Sequence, residues 1–188
     1  MVSDKNIIEG CITGKREAFR NLFNKYSSIM LVICMRYSKD KAEAEDIMQD
    51  GFIKVFKSIR SFRHEGSFEG WIKRIMINTA INHHQKNLKH YYHEDIDNYH
   101  ESFNTEDESD LAPDLPVPKE QIMKMIQNLP EGYKFVFNMY VFEGYSHKEI
   151  AKELNITVST SKSQLFKARN FLRKQLEPFI KKNMQQDR

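Results

Sequence analysis

The sequence predicts an all-α protein made of two small helical domains joined by a flexible acidic linker. Apolar residues recur every three or four positions through most of residues 15–87 and again from residue 120 onward. The 188 residues include only seven Gly and five Pro, as expected of a mostly helical chain with few tight turns. Residues 91–118 lack the helical spacing and end in a Pro-rich stretch. No strand pattern or internal repeat competes with this interpretation.

Charge divides the chain in the same way. Residues 1–90 contain 16 Lys and Arg against 10 Asp and Glu, and residues 119–188 contain 13 against 7, so each part carries a net charge of +6. Residues 91–118 contain nine acidic and no basic residues, a net charge of −9. Basic folded parts favour a polyanionic partner, whereas an acid-rich segment repels one and resists packing. We therefore expect domains at 1–90 and 119–188 and a flexible linker at 91–118.

Three helices are predicted in the first domain. The first spans residues 15–35, where apolar residues form one continuous stripe that is expected to be buried. The second spans residues 42–59, with its apolar side inward and an acidic outer edge that consists of Glu45, Asp46, Gln49 and Asp50. After a short break at residues 60–66, a third helix is expected from about residue 68 to residue 87.

The third helix separates into two arcs when its residues are placed at intervals of about 100°. One arc is apolar, and the other carries Trp71, the only Trp of the chain, with Arg74, Asn78, Asn82, Gln85 and Lys86. Phe62 and Phe68 lie around a Gly-containing turn just upstream. Such a surface suits single-stranded nucleic acid, because unstacked bases rest on aromatic faces and Asn side chains hydrogen-bond the edges of extruded bases. The alternative is that Phe68 and Trp71 only pack against neighbouring helices.

The second domain is predicted to begin with two helices. Helical spacing returns at Glu120 and continues to Leu129. Pro130 is a start signal for the next helix, because its missing amide is no loss at a helix N-terminus, and Gly144 is a stop signal.

Residues 146–173 have the pattern of a DNA-reading helix-turn-helix. Ser146 and Glu149 form a capping box, and Asn155 stands where the turn needs a residue that tolerates a positive φ. The second helix should start near residues 157–159 and bury Val158, Leu165, Ala168 and Leu172. Its outer face carries groups that meet base edges and phosphates, namely Thr160, Ser163, Phe166, Lys167, Asn170 and Lys174. An ordinary helical hairpin with a solvated face is the alternative.

The sequence argues against a membrane protein, a secreted protein and an enzyme. Its longest apolar run, residues 29–35, is far shorter than the roughly 18 residues that a membrane span needs, and no secretory signal is present, so a cytoplasmic protein is expected. Cys11 and Cys34 lack metal or redox spacing and are expected to be inert thiols. A further alternative is a metal-dependent enzyme that uses the histidines His83, His84, His90, His93 and His100. It is disfavoured, because adjacent His83 and His84 diverge on a helix and His90 with His93 has no carboxylate at a defined catalytic spacing. No cofactor or metal is therefore expected.

Four blocks of the sequence, residues 44–62, 66–82, 129–154 and 160–169, closely resemble an extracytoplasmic-function sigma factor. These proteins are the short, two-domain members of the bacterial sigma-seventy family, and the blocks occur here in the order and spacing of that family. The resemblance implies a dissociable initiation subunit that directs RNA polymerase to promoters and helps to melt them, without chemistry of its own. It also implies three partners, which are core RNA polymerase (through the β′ clamp helices and the β flap), promoter DNA and an anti-sigma factor.

The resemblance assigns roles to three sets of residues. Those that match the surface for the clamp helices are Asp46, Gln49, Asp50, Phe52, Val55 and Phe56. Those that match positions opening the minus-ten element and holding its flipped bases are Phe62, Arg63, Ser67, Phe68, Trp71, Arg74 and Asn78, with Asn82 and Lys86 further along the helix. Those that match major-groove contacts to the minus-thirty-five element are Thr157, Ser159, Thr160, Lys162, Ser163, Phe166 and Lys167.

Three departures from the family pattern stand out. Ser161 replaces an apolar residue on the inner face of the recognition helix, and Gln164 stands where a second Arg is common. Gln85 and Asn82 take places often held by Arg and Asp. The alternative function is a conventional helix-turn-helix regulator whose first 90 residues form an effector or dimerisation domain. That alternative explains the second half equally well but leaves the basic, aromatic first domain without a role.

Overall fold

The computed structural model of the protein describes residues 2–91 and 117–186, in which every regular element is a helix. The chain divides into two compact units, Met1–Lys89 and His90–Arg188. The first contains α1 (Asp4–Ile12), α2 (Arg16–Tyr37), α3 (Lys41–Ser58), a 3₁₀ turn (Ile59–Ser61) and α4 (Phe68–Tyr91). The second contains α5 (Lys119–Gln127), α6 (Glu131–Val141), α7 (His147–Leu154) and α8 (Val158–Gln186). The all-α class is thus confirmed for the described residues, whereas residues 92–116 of the predicted linker lie outside them.

Helix α1 is an element that the sequence patterns do not predict. The Ser3 hydroxyl caps it by accepting from the amide of Asn6 at 3.3 Å, and Ile7 and Ile8 are buried on its inner side. A polar cluster reinforces its packing on α2, because one oxygen of Asp4 accepts from Lys25 Nζ and from the Tyr26 hydroxyl, both at 2.6 Å. Partial burial alone would raise the pKa of Asp4, but these two hydrogen bonds and the charge of Lys25 outweigh burial and lower the pKa.

The core of the first unit lies where α2, α3 and α4 meet. Its fully buried side chains include Leu22, Met30, Ile47, Val55, Ile72 and Met76. Gly51 permits a close approach between α3 and α4, because a Cβ atom at this position would lie 2.2 Å from the sulfur of Met76. The apolar stripe predicted on α2 is not buried throughout, since Phe23 and Ile29 are 38% and 45% exposed.

The second unit is built around α6 and α8. Phe135, Val136 and Met139 of α6 are buried, and α8 packs against both α6 and α7. Val117, inside the predicted linker, is 7% exposed and therefore belongs to the folded part of this unit. Helix α8 also continues well beyond the predicted helix-turn-helix and includes Pro178.

Both cysteines are free and buried, as the sequence predicts for inert thiols. Burial raises the pKa of the Cys11 thiol and raises that of the Cys34 thiol to about 12. The reactive thiolate form is therefore scarce at neutral pH. Among the helices that the structure describes, none combines the length and the apolar character that crossing a membrane requires.

Candidate nucleic-acid interface

Four rings form an aromatic cluster at the start of α4, which we define as Phe62, His64, Phe68 and Trp71. The Trp71 ring stacks on Phe68, with centroids 5.7 Å apart and planes inclined by 14°. Phe62 contacts both, at 5.1 Å from Phe68 and 5.5 Å from Trp71, and His64 lies 4.7 Å from Phe62. Sequence reasoning missed His64, whose positive φ of 60° is set by the turn. The cluster gives Trp71 a defined orientation at the surface.

Phe68 supports this cluster from inside. Its ring is 4% exposed and packs edge-on against Tyr26 at 5.8 Å. The prediction that Phe68 itself offers a face to bases is therefore corrected, because the structure places this ring in the core beneath Trp71. Trp71 is half-buried, and Arg63 beside the cluster is exposed. The sequence alternative of core packing thus holds for Phe68 and only in part for Trp71.

Ser67 caps α4. Its hydroxyl accepts from the amide of Gly70 at 3.0 Å, and its carbonyl accepts from the amide of Trp71 at 3.1 Å. A side chain predicted to contact the minus-ten element therefore also starts the helix that carries the other predicted contacts. Because the capping bond uses the hydroxyl oxygen as an acceptor, its proton is still available for a ligand.

A cleft of about 450 Å³ opens beside the aromatic cluster. Its walls come from two parts of the chain, the turn before α4 and the unpredicted α1. The lining residues are Asp4, Lys5, Ile8, Glu9, Ile12, Phe62, His64, Gly66 and Phe68. This volume lies within the range of roughly 300–1,000 Å³ that small-molecule sites have in proteins. The cleft is therefore large enough to take a single extruded base.

The polar side of α4 continues from the cluster along one line. Arg74, Asn78, Asn82 and Lys86 follow one another at intervals of four residues, and all four are exposed. Residues four apart are neighbours on a helix, so each side chain lies beside the next over about 18 Å, in a row that turns by about 40° at each step. The opposite side is core, with Ile72 and Met76 fully buried. The structure thus brings together the predicted polar arc, except that Gln85 is half-buried.

The predicted polymerase-binding residues of α3 divide between surface and core. Asp46, Gln49 and Asp50 are exposed, and Phe56 is half-buried. Phe52 and Val55 are 2% and 0% exposed, so they pack inward as the helical spacing predicts, and their part in binding polymerase stays a prediction. The exposed apolar residue of α3 is Ile53, which is 49% exposed. The sequence patterns did not identify it. Ile53 follows Asp50 by three residues and therefore lies on the same face.

The helix-turn-helix has the predicted caps and turn. Ser146 Oγ accepts from the amide of Glu149 at 3.3 Å, and a carboxylate oxygen of Glu149 accepts from the amide of Ser146 at 2.8 Å, which confirms the capping box. Asn155 adopts the left-handed conformation, with φ 55° and ψ 45°. The turn then ends at Thr157, whose hydroxyl accepts from the amide of Thr160 at 3.0 Å and caps α8.

A polar pair joins the two helices of this motif. Ser161 of α8 is 0% exposed, and its hydroxyl lies 2.9 Å from Nδ1 of His147 at the start of α7. The His147 ring stacks on Tyr140, with centroids 4.7 Å apart. Ser161 is therefore accommodated, at a position where the family has an apolar residue, by a hydrogen bond to His147. Burial, together with the nearby charges of Lys162 and Arg169, lowers the pKa of His147.

The stability of the second unit should depend on the protonation of His147. The lowered pKa means that the unfolded chain binds a proton at this ring more readily than the folded chain does. The stabilising contribution is fully present above the ordinary pKa of 6.5 and is lost as the pH falls through the lower folded value. Urea unfolding followed by the amide NMR signals of α7 and α8, between pH 7.5 and 5, checks this expectation. His147→Asn should remove this part of the pH dependence; an undiminished dependence in that variant would contradict the assignment.

Several hydroxyl groups on the outer side of α8 are already engaged within the helix. Thr157 Oγ1 and Thr160 Oγ1 lie 2.8 Å apart, and the Ser163 hydroxyl donates to the Thr160 carbonyl at 3.0 Å. Since its proton is used, Ser163 can only accept from a base edge. Among the other predicted contacts, Ser159 and Lys162 are exposed and Phe166 is 38% exposed, whereas Lys167 is half-buried.

Two side chains of α8 differ from expectation. Leu165, Ala168 and Leu172 are buried as predicted, but Val158 is 39% exposed, and the prediction of an inner position for it is wrong. The inner position near the start of the helix belongs to Ser161 instead. Gln164 is half-buried against α6, where its Nε2 would lie 2.9 Å from a Cβ atom added at Gly132.

The structure also bears on the metal-enzyme alternative. Within the part of the chain that it describes, no three His, Cys, Asp or Glu side chains come close enough together to hold a metal ion. His83 instead lies 3.5 Å from a carboxylate oxygen of Glu43 at the start of α3. The side chains of His90, His93 and His100 lie outside the described residues.

Comparison with known proteins relates both units to one family. The family model described as Sigma-70 region 2 matches residues 22–89, and the one described as Sigma-70, region 4 matches residues 119–172. Each match therefore falls within one compact unit and contains one of the two candidate surfaces.

Curated relatives match along nearly the whole chain. The RNA polymerase sigma-H factor of Pseudomonas aeruginosa is 29% identical over 187 residues, covering 95% of this chain and 96% of the relative. The ECF RNA polymerase sigma-E factor of Haemophilus influenzae is 28% identical over 188 residues, covering 95% and 98%. Among solved structures, the sigma factor RpoE in complex with the anti-sigma factor NepR from Bartonella quintana matches with a TM-score of 0.50 at 19% identity, covering 87% of this chain and 96% of that one. That structural likeness supports the fold alone.

Proposed function

The chain belongs to the sigma-70 family, as a sigma factor of the extracytoplasmic-function type, and from this premise we propose how its two units divide the work of initiation. The first unit binds core RNA polymerase through α3 and captures the opened minus-ten strand through the aromatic cluster and α4. The second reads the duplex minus-thirty-five element through α8. The protein supplies binding energy and positions DNA, and the chemistry belongs to the polymerase.

One observation carries this proposal. The two matched regions fall one in each compact unit, and each unit presents a different kind of surface. The first surface combines an aromatic cluster, a cleft and a line of amides and cations, which suits single strands and flipped bases. The second is a capped helix-turn-helix, which suits duplex DNA. The regulator alternative is not favoured, because a region 2 match covers the part of the chain for which it had no role.

The α3 surface supports a protein partner. Its exposed residues Asp46, Gln49 and Asp50 precede Ile53 along the helix, so an exposed apolar side chain lies beside two carboxylates and an amide. Acidic groups repel DNA phosphates, whereas a buried apolar centre with a polar rim is the usual composition of a protein interface. We assign this face to core polymerase. An anti-sigma factor is a further partner, proposed from the family alone.

The proposed function is tested by transcription in vitro. The purified chain with core polymerase and genomic DNA should produce specific start sites, which sequencing of the transcripts would map. In parallel, immobilised core enzyme should retain the chain. Ile53→Ala and Asp50→Lys should reduce that retention, while Ile29→Ala, a change at a similarly exposed apolar residue of α2, should not. A chain that binds promoter duplex tightly by itself and ignores core polymerase would favour a conventional regulator.

Lys167 is expected to contact a phosphate of the minus-thirty-five element. Each phosphate contact releases condensed counterions, so Lys167→Ala should weaken promoter binding and reduce the slope of log affinity against log salt by about 0.9. Filter binding of the polymerase complex across a salt series measures both quantities. Lys124→Ala, which removes an exposed cation of α5, is the matched control and should leave the slope unchanged. An unaltered slope in Lys167→Ala would refute the contact.

A further inference from the structure

Val158 is an exposed apolar residue at the beginning of the recognition helix. It is the first residue of α8 and is 39% exposed, whereas Ser161 fills the buried position in the same turn. Lys162, four residues on and therefore on the same side, is also exposed. The isopropyl group of Val158 therefore lies at the N-terminus of α8, on its solvent-exposed side.

Val158 lies between two residues with hydroxyl side chains, Thr157 and Ser159. Thr157 uses its hydroxyl to cap the helix, and that oxygen lies 2.8 Å from the hydroxyl of Thr160. The hydrogen bond between these two hydroxyls uses one of their two protons, so the other proton remains available to a ligand. The first turn therefore offers a ligand the apolar group of Val158 beside one hydroxyl donor and the exposed side chain of Ser159.

This arrangement fits one feature of the major groove. In helix-turn-helix complexes the N-terminal residues of the recognition helix contact base edges. The C5-methyl of thymine is the apolar group that a base pair displays there, and it is read by apolar contact. Val is also stiff at χ1, so holding its methyl groups in place costs little side-chain entropy. Building on the proposed function, we infer that Val158 determines specificity by contacting the C5-methyl of a thymine in the minus-thirty-five element.

The test removes that methyl group from the DNA. A promoter mapped by transcription in vitro would be prepared with each thymine of the minus-thirty-five element, on either strand, replaced singly by deoxyuridine. Affinity would be measured for the full chain bound to core polymerase. At one position we expect the affinity to fall about fourfold, because one methyl-sized apolar group is no longer buried in the complex. With Val158→Ala, the same replacement should change affinity by less than about twofold, because the two changes remove one shared contact.

A matched variant separates this contact from general effects. Val141 at the end of α6 is 46% exposed, so Val141→Ala removes a similar apolar group elsewhere in the same unit and should keep the full response to deoxyuridine. Thermal melting of both variants would establish that they fold. The inference is overturned if the element contains no thymine, if no replacement matters, or if Val158→Ala responds as the parent does. Failure to bind any promoter with core polymerase would overturn the proposed function, and the inference with it.

Discussion

Replacing Trp71 with Ala should block promoter opening while leaving the closed complex intact. Stacking of a base on an aromatic ring contributes about 1–3 kcal/mol, so the equilibrium for opening should fall by roughly 5- to 150-fold. We expect the initial complex to depend on the exposed faces of α8 and α3 and not on the aromatic cluster. Permanganate reactivity of unpaired thymines measures opening, and gel shift on the same duplex measures closed-complex formation.

Two comparisons define what the Trp71 result means. A template that is already unpaired across the minus-ten element should rescue most of the defect, because the cost of melting is then removed. Trp71→Phe should retain part of the activity, since it keeps a ring that can lie on Phe68.

Asn78→Ala, on the exposed side of α4, should also impair opening and spare the closed complex. An equal loss of closed complex in these variants would mean that the residues are structural.

Replacing Gly51 with Val should strongly destabilise the first unit. A Cβ atom at this position would lie 2.2 Å from the sulfur of Met76, and Met76 is 0% exposed, so its side chain cannot swing into solvent. Overpacking of this kind costs about 3 kcal/mol. Gly51→Ala should be milder, because gaining a better helix former offsets up to about 1 kcal/mol. Urea unfolding followed by the fluorescence of Trp71, the only Trp, reports on this unit specifically.

The same contact can be tested from Met76, because a smaller residue at that position should make room for a side chain at Gly51. Met76→Ala alone leaves a cavity and should also destabilise the unit. In Gly51→Val/Met76→Ala the added isopropyl group occupies part of that cavity, so the double variant should be more stable than the sum of the single effects predicts. Simple additivity of the two free-energy changes would show that α3 and α4 do not meet closely at this point.

Local signals predict most of the helices well. The capping box of Ser146 and Glu149 and the left-handed Asn155 are recognisable in the sequence alone, because each of these groups is satisfied by residues within four positions along the chain. Helix α1 escapes such prediction because nine residues offer too few turns for a clear period, although the Ser3 cap ahead of Ile7 and Ile8 is a usable signal. Short helices depend on their neighbours, here on the contacts of Asp4 with α2.

Side-chain exposure is the less predictable property. Phe68 and Trp71 are aromatic neighbours in one turn, yet Phe68 is buried against Tyr26 and Trp71 remains half-exposed above it. Likewise the sequence pattern predicts Val158 inside, whereas the structure leaves it 39% exposed; Ser161, which the family resemblance already placed on the inner face, is buried. A helical wheel gives the direction of a side chain but not the position of the helix that crosses there.

The sequence by itself therefore determined the helical class, the two basic parts around an acidic segment, the helix-turn-helix and the polar arc of α4. These depend on spacing, capping and charge, which are properties of neighbouring residues in the chain. Tertiary structure alone decided that Ile53 is the exposed apolar residue of α3, that α1 forms a wall of the cleft, and that His147 is hydrogen-bonded to Ser161. Each of these outcomes depends on which distant helix covers a given face, and packing between helices is settled only when the whole core is assembled.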